Sequence, residues 1–162
     1  MIKLSSVRGS LQKLALTATL AGLSVILSPF YFPVGPTKCY PFQHMINALT
    51  GVLVGPLYAI LGATITGIIR NSLGVGTIFA FPGGIPGGFI VGLIYWITRR
   101  DEAALSEPMG TFIGALLSAY IVGPAVGKNM AVEAFIIAFL ASSIPGSILG
   151  YIILKIIRKA VK

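Results

Sequence analysis

Acidic residues are nearly missing from this chain: four Asp and Glu stand against twelve Lys and Arg, charged side chains make up 10% of 162 residues, and mean hydropathy is +0.93. A water-soluble domain needs a charged exterior, and so few charges, gathered at the ends of apolar blocks, exclude one. A single cysteine, Cys39, excludes an internal disulfide and a cysteine-based metal cluster. One histidine, His44, with no H-E-x-x-H, no G-x-S-x-G and no carboxylate pair leaves no enzyme signature. Neither a metal nor a cofactor is expected. The spacing G-x-x-x-x-G-K-[ST] is also lacking, which excludes ATP hydrolysis by this chain. A net charge of +8 would suggest nucleic acid in a soluble protein. Here it reads as cytoplasmic Lys and Arg beside anionic lipid heads, with no nucleic-acid partner.

What is present is apolar sequence, in blocks from Leu14 to Pro29, His44 to Ile69, Gly84 to Thr98, Met109 to Val126 and Ala131 to Ile157. They lack the period-two alternation of a barrel, so helices are the backbone arrangement that satisfies its own hydrogen bonds in lipid. The fold class is therefore all-α: a polytopic protein of the cell membrane, with residues 1–162 as one integral membrane domain. Lys3, Arg8 and Lys13 ahead of the first block resemble a signal peptide, but Pro29 to Lys38 offers no small-x-small cleavage site. A retained first span is expected.

The topology turns on Gly55-Pro56, in the middle of the second block, where a helix would lose a hydrogen bond or turn. A reversal there gives six transmembrane helices. With both termini cytoplasmic, nine basic residues (Lys3, Arg8, Lys13, Arg99, Arg100, Lys155, Arg158, Lys159 and Lys162) then lie inside and only Lys38, Arg70 and Lys128 outside. An unbroken block gives five spans and puts Arg99, Arg100 and the basic C-terminal residues on the wrong side. The second and third helices are short, which lipid disfavours but a protein-lined cavity tolerates.

Small residues recur four apart at Gly84, Gly88 and Gly92, at Gly110, Gly114 and Ser118, and at Gly146 and Gly150. Such stripes let helix backbones approach closely, and packing within the bundle is their ordinary use. The first helix differs, because Ala15, Ala18, Thr19, Ala21 and Gly22 spread over more than one face. One side of it can pack internally while another docks on a second protein.

Three connections meet on the outer side in this arrangement. The first, FYFPVGPTKCYPFQHM, is stiffened by Pro33, Pro36 and Pro41 and presents Tyr31, Lys38, Cys39, Tyr40, Gln43 and His44 as a lid over a pocket. The second, from Arg70 to Gly83, supplies Arg70, Asn71, Thr77, Phe79 and Phe81, with the fourth helix starting at Pro86. The third runs from Gly127 to Ala131. Asn47 lies one turn beyond His44 on the same helix face, so an imidazole and an amide can orient a small polar heterocycle while aromatic rings stack on it. Glu133 is the one carboxylate inside an apolar block and is expected to face the bundle, paired with Arg70, Lys128 or His44. Asp101, Glu102 and Glu107 read as a solvated cytoplasmic loop.

The run PVGPTKCYPFQHMINALTGVLVGP, with TGIIRNSLGVGT and AFPGG after it, resembles the ThiW family, thiazole-specific substrate-binding (S) components of energy-coupling factor (ECF) importers. The resemblance covers nearly the whole chain. It implies an S-component-like bundle of six helices, with a ligand held beneath the loop that joins the first two, here Pro33 through His44. It also implies a first helix that docks on a transmembrane coupling subunit served by two ATPase subunits. The docking residues would be Ala15, Ala18, Thr19 and Gly22, although the family's alanine-x-x-x-alanine form is not intact. The implied ligand is hydroxyethylthiazole, a neutral thiamine precursor. The residues themselves leave open another heterocycle such as a pyrimidine precursor, an ion-coupled secondary transporter using Glu133, and a membrane scaffold without a ligand.

Overall fold

The computed structural model describes residues 9–34 and 37–160. Lys3, Arg8, Pro36 and Lys162, used above for topology and loop stiffness, lie outside the described residues. The elements follow the apolar blocks. Helix α1 is Ser10–Ile26, a hairpin of β1 (Phe32–Val34) and β2 (Thr37–Cys39) comes next, then α2 (Pro41–Val54), α3 (Pro56–Ser72) and α4 (Ala80–Thr98). A 3-10 segment, Asp101–Ser106, leads into α5 (Glu107–Leu117), which continues through one π-helical stretch (Ser118–Val122) and the short α6 (Gly123–Ala125) as a single rod. Helix α7, Val132–Ala160, ends the described chain. The result is an all-α bundle of six rods carrying one small hairpin.

The break after Val54 is built into its residues. Gly55 has φ 98° and ψ 176°, a region open essentially to glycine alone, and Pro56 opens α3 at a position where its missing N–H is not needed. The chain therefore reverses, as the sequence predicts, and α2 and α3 become separate neighbours.

The first connector, expected as a proline-stiffened lid, takes the form of an antiparallel hairpin, with Phe32 opposite Cys39 and Pro33 opposite Lys38. One local expectation fails. Helix α4 begins at Ala80, so Pro86 sits inside it instead of opening it. Pro86 has no N–H for the Pro82 carbonyl, and the Gly114 backbone packs so closely against that carbonyl that a Cβ would run into it. Gly110 meets the Pro86 carbonyl in the same way. The kink-prone stretch of α4 is thus matched to the glycine stripe of α5.

Helix α2 is the centre of the molecule, buried at eleven of its fourteen residues among α1, α4 and α7. Its Ile46, Ala48, Leu49 and Val52 form a core with Val91 of α4 and Leu154 of α7. Gly146 and Gly150 of α7 face α2, and Gly88 and Gly92 of α4 face α3 and its leading turn. At the end remote from the hairpin, Arg158 holds Asp101 at 3.0 Å and Lys155 holds Glu102 at 3.2 Å, tying the 3-10 segment to α7. Three described helices are long and apolar enough to cross a membrane: Ala80–Thr98, Asp101–Ala125 and Val132–Ala160. Ser10–Ile26 is apolar but shorter.

Candidate functional site

At one end of the bundle, where α2, α4 and α7 begin and α3 finishes, the helices enclose a cavity of about 230 Å³. Its floor carries His44, Gln43 and Gly83, and its walls carry Phe79, Phe135, Phe139 and Ser142. The Phe79 and Phe135 rings stand 4.9 Å apart at 56°, and Phe135 meets Phe139 nearly edge-on at 6.0 Å. Lys38, Arg70 and Lys128 reach it from three separate elements. A second hollow of about 780 Å³ opens at the opposite end around the Gly55–Pro56 turn, but it is shallow and mostly apolar, with Lys13 and Arg99 at its rim. Only the first brings buried polar side chains together with aromatic walls, which is the chemistry of a small-ligand site.

Below the cavity lies a buried polar network. His44 Nδ1 is 2.6 Å from Glu107 Oε1, and Glu107 has no exposed side-chain surface. The Asn47 amide donates to the same oxygen at 3.4 Å and to the Gly84 carbonyl at 3.2 Å, while Thr111 Oγ1 donates to Glu107 Oε2 at 3.0 Å. A carboxyl group buried this deeply is tolerated because both of its oxygens have hydrogen-bond partners. Fixing Nδ1 on a carboxylate also fixes the tautomer and ring orientation of His44. Gln43 is held in turn, its Oε1 accepting from Arg70 Nη1 and its Nε2 donating to the Ala80 carbonyl at 3.5 Å.

The hairpin closes over the cavity through an alternating stack. Lys38 Nζ lies 4.5 Å from the Tyr31 ring centroid, Tyr31 and Tyr40 rings are 5.6 Å apart, and the Arg70 guanidinium lies 3.8 Å from the Tyr40 centroid. Tyr40 is further anchored, its N–H donating to Ser142 Oγ at 2.7 Å and its hydroxyl to the Val75 carbonyl at 2.8 Å. Cys39 Sγ donates to the Ala138 carbonyl at 3.1 Å, and burial pushes that thiol above its usual pKa.

A match to the family model described as thiamine-precursor transporter protein (ThiW) spans residues 14–160, most of the chain. The chain belongs to the ThiW family. Membership makes it a membrane transport component for a thiamine precursor and not an enzyme. No curated protein and no solved structure matches it.

Of the residues singled out in the ThiW-like sequence, Lys38, Tyr40, Gln43, His44 and Arg70 line the cavity, with Asn47 and Tyr31 one contact behind it. Others go elsewhere. Asn71 braces the turn after α3 by donating to the Gly67 and Thr77 carbonyls, Phe81 packs on Gly67, and Cys39 is turned into α7. Glu133 corrects an expectation: it lies exposed in the first turn of α7, outside the cavity lining, and makes no ion pair with Arg70, Lys128 or His44. The buried carboxylate is instead Glu107, assigned above to a solvated loop. Glu107 opens α5 directly before Pro108, and Thr111 one turn on shares its face, a pairing visible in the sequence but hidden by neighbouring Asp101 and Glu102. The aromatic wall was also legible in part, since Phe135, Phe139 and Ser142 recur at helical spacing on α7.

Proposed function

We propose that this protein is the substrate-binding S component of an ECF-type importer, and that its cavity binds hydroxyethylthiazole. The carrying observation is the His44–Glu107 pair beneath an aromatic-walled cavity. With Nδ1 on the carboxylate, His44 Nε2 remains to meet a ligand heteroatom, Gln43 and Asn47 hold the floor, and Phe79, Phe135 and Phe139 cover the ring faces. At about 230 Å³ the space falls below the roughly 300–1,000 Å³ of drug-sized pockets, which suits a single-ring precursor.

All six rods cross the membrane in this reading, with both termini cytoplasmic. Helix α2 spans only about 21 Å at 1.5 Å per residue, short of a core of roughly 30 Å. Its neighbours are protein and not lipid, which removes the penalty on a short crossing. Ala15, Ala18, Thr19 and Gly22 are all exposed, on the side of α1 turned away from Thr17, Leu20, Ala21 and Ser24, which pack inward. That open small-residue face is the docking surface for a coupling subunit, whose two ATPase partners supply the energy. Glu133, the carboxylate on which an ion-coupled reading would rest, is exposed and apart from the cavity.

Calorimetry on the purified full chain tests the ligand. Saturable binding of hydroxyethylthiazole, weakened at least tenfold in His44→Ala, is expected. A folded protein that ignores this compound yet binds a pyrimidine precursor would reject the ligand and keep the class.

A further inference from the structure

Arg70 is 1% exposed, and its guanidinium is hydrogen-bonded through one nitrogen: Nη1 donates to Gln43 Oε1, while Nε and Nη2 have no hydrogen-bond partner among the described residues. The Tyr40 ring, 3.8 Å from the guanidinium, offsets part of the lost hydration, but two donor nitrogens are still left without acceptors. Nor does the chain hold a carboxylate for it. Of its four acids, Asp101 and Glu102 pair with Arg158 and Lys155 at the far end of the bundle, Glu107 pairs with His44, and Glu133 is exposed. Nε and Nη2 form the side edge of the guanidinium, two parallel donors suited to two oxygens of one oxyanion. Lys38 from the hairpin and Lys128 from the connection before α7 line the same cavity, and both are exposed, so their ammonium groups keep their water until a ligand arrives.

We infer that Arg70, Lys38 and Lys128 form an oxyanion subsite at the outer end of this cavity, and that the preferred ligand carries a phosphate monoester on its hydroxyethyl arm. The inference rests on the thiazole reading for the ring and adds the class of its tail. A carboxylate would satisfy the Arg70 edge alone. A phosphate monoester, with about 1.5 to 2 negative charges near neutral pH, also uses the two lysines. The ring then sits over His44 and Gln43 between the phenylalanines, with the tail toward the hairpin.

Calorimetry with three probes decides it: hydroxyethylthiazole, its phosphate monoester, and inorganic phosphate, each titrated into the full chain and into Arg70→Gln. The ester is expected to bind at least tenfold more tightly than the alcohol, and Arg70→Gln to bring that ratio below threefold. An alcohol that binds as tightly as the ester overturns the subsite and leaves the thiazole reading standing. If neither organic probe binds, the thiazole reading fails. Inorganic phosphate then decides the subsite: saturable millimolar binding lost in Arg70→Gln supports it, and no such binding overturns it. Should Arg70→Gln fail to fold, the double variant Lys38→Ala, Lys128→Ala, at two exposed positions, takes its place. A fall of at least threefold in the ester-to-alcohol ratio supports the proposal, and an unchanged ratio overturns it.

Discussion

Glu107 is fully buried, and a carboxyl group persists in an apolar interior only while its oxygens have hydrogen-bond partners. His44 and Asn47 approach one oxygen from α2, and Thr111 fills the other from the next turn of α5. Removing the carboxylate takes away the partner of His44 Nδ1 and leaves the Asn47 amide with only the Gly84 carbonyl. Glu107→Ala is therefore expected to lower stability by about 3–5 kcal/mol, the range for breaking a buried pair, while Glu133→Gln stays within about 0.5 kcal/mol as an exposed change. Thermal unfolding of the detergent-solubilised protein measures both. Sequence alone ranked these two acids the other way round. Charge density decided it: Glu107 follows Asp101 and Glu102 and shares their solvated look, whereas the depth of a helix start in a bundle is set by tertiary packing. The common location of Gln43, His44 and Asn47 was legible, because Gln43 and His44 close the proline-rich connector and Asn47 follows His44 by helical spacing. Cys39 belongs to the same scale. Buried against the Ala138 carbonyl with its thiol pKa raised, it is expected to react with maleimide far more slowly than a free thiol, and unfolding in detergent should restore ordinary reactivity.

Glycines divide the helix faces into those that meet another helix and one, on α1, that is left open. Gly114 on α5 lies so close to the Pro82 carbonyl that an added methyl has no room, and both partners there are backbone. Gly114→Ala is expected to destabilise the bundle by about 1–3 kcal/mol, as overpacked cores do. Gly55→Ala falls in the same range for a different reason, since φ 98° with ψ 176° is strained for any residue with a Cβ. Gly22 contrasts with both, having nothing within 4 Å of its would-be Cβ. Gly22→Leu is expected to leave the isolated protein's melting temperature within a degree or two and to abolish co-purification with a coupling subunit. Retained co-purification would move the docking surface off this face of α1. The glycine-proline reversal was readable because it depends on two adjacent residues. The start of α4 was not, since the hydrogen bond lost at Pro86 is offset by a helix the local sequence cannot see. Nor was the hairpin, whose pairing depends on what lies beneath it: Cys39 and Tyr40 are pinned to α7 by Ala138 and Ser142, about a hundred residues further on.

At the scale of the whole molecule, one reversal sets everything else. Because α2 runs back as α3 after Gly55, the start of α2 and the end of α3 fall at the same end, and His44, Gln43 and Arg70 become neighbours across 27 residues of chain. The further reversals after α3 and after α4 bring Lys128 and the start of α7 to that end as well, while Arg99, Arg100 and the Asp101–Arg158 clamp collect at the other. An odd number of crossings would separate Thr77 from Lys128 or move the basic cluster outward, against the usual retention of Lys and Arg on the cytoplasmic side. Single cysteines in a Cys39→Ser background read this out. Thr77→Cys and Lys128→Cys are both exposed at the cavity end, and Leu57→Cys and Arg100→Cys are both exposed at the opposite end. A membrane-impermeant maleimide added to intact cells is expected to label the first two, and the second two only after the membrane is opened. Labelling of Thr77→Cys and Leu57→Cys from the same side would mean that α3 does not cross, and a cavity that needs Arg70 beside His44 at an outer rim would then have no route to the outside.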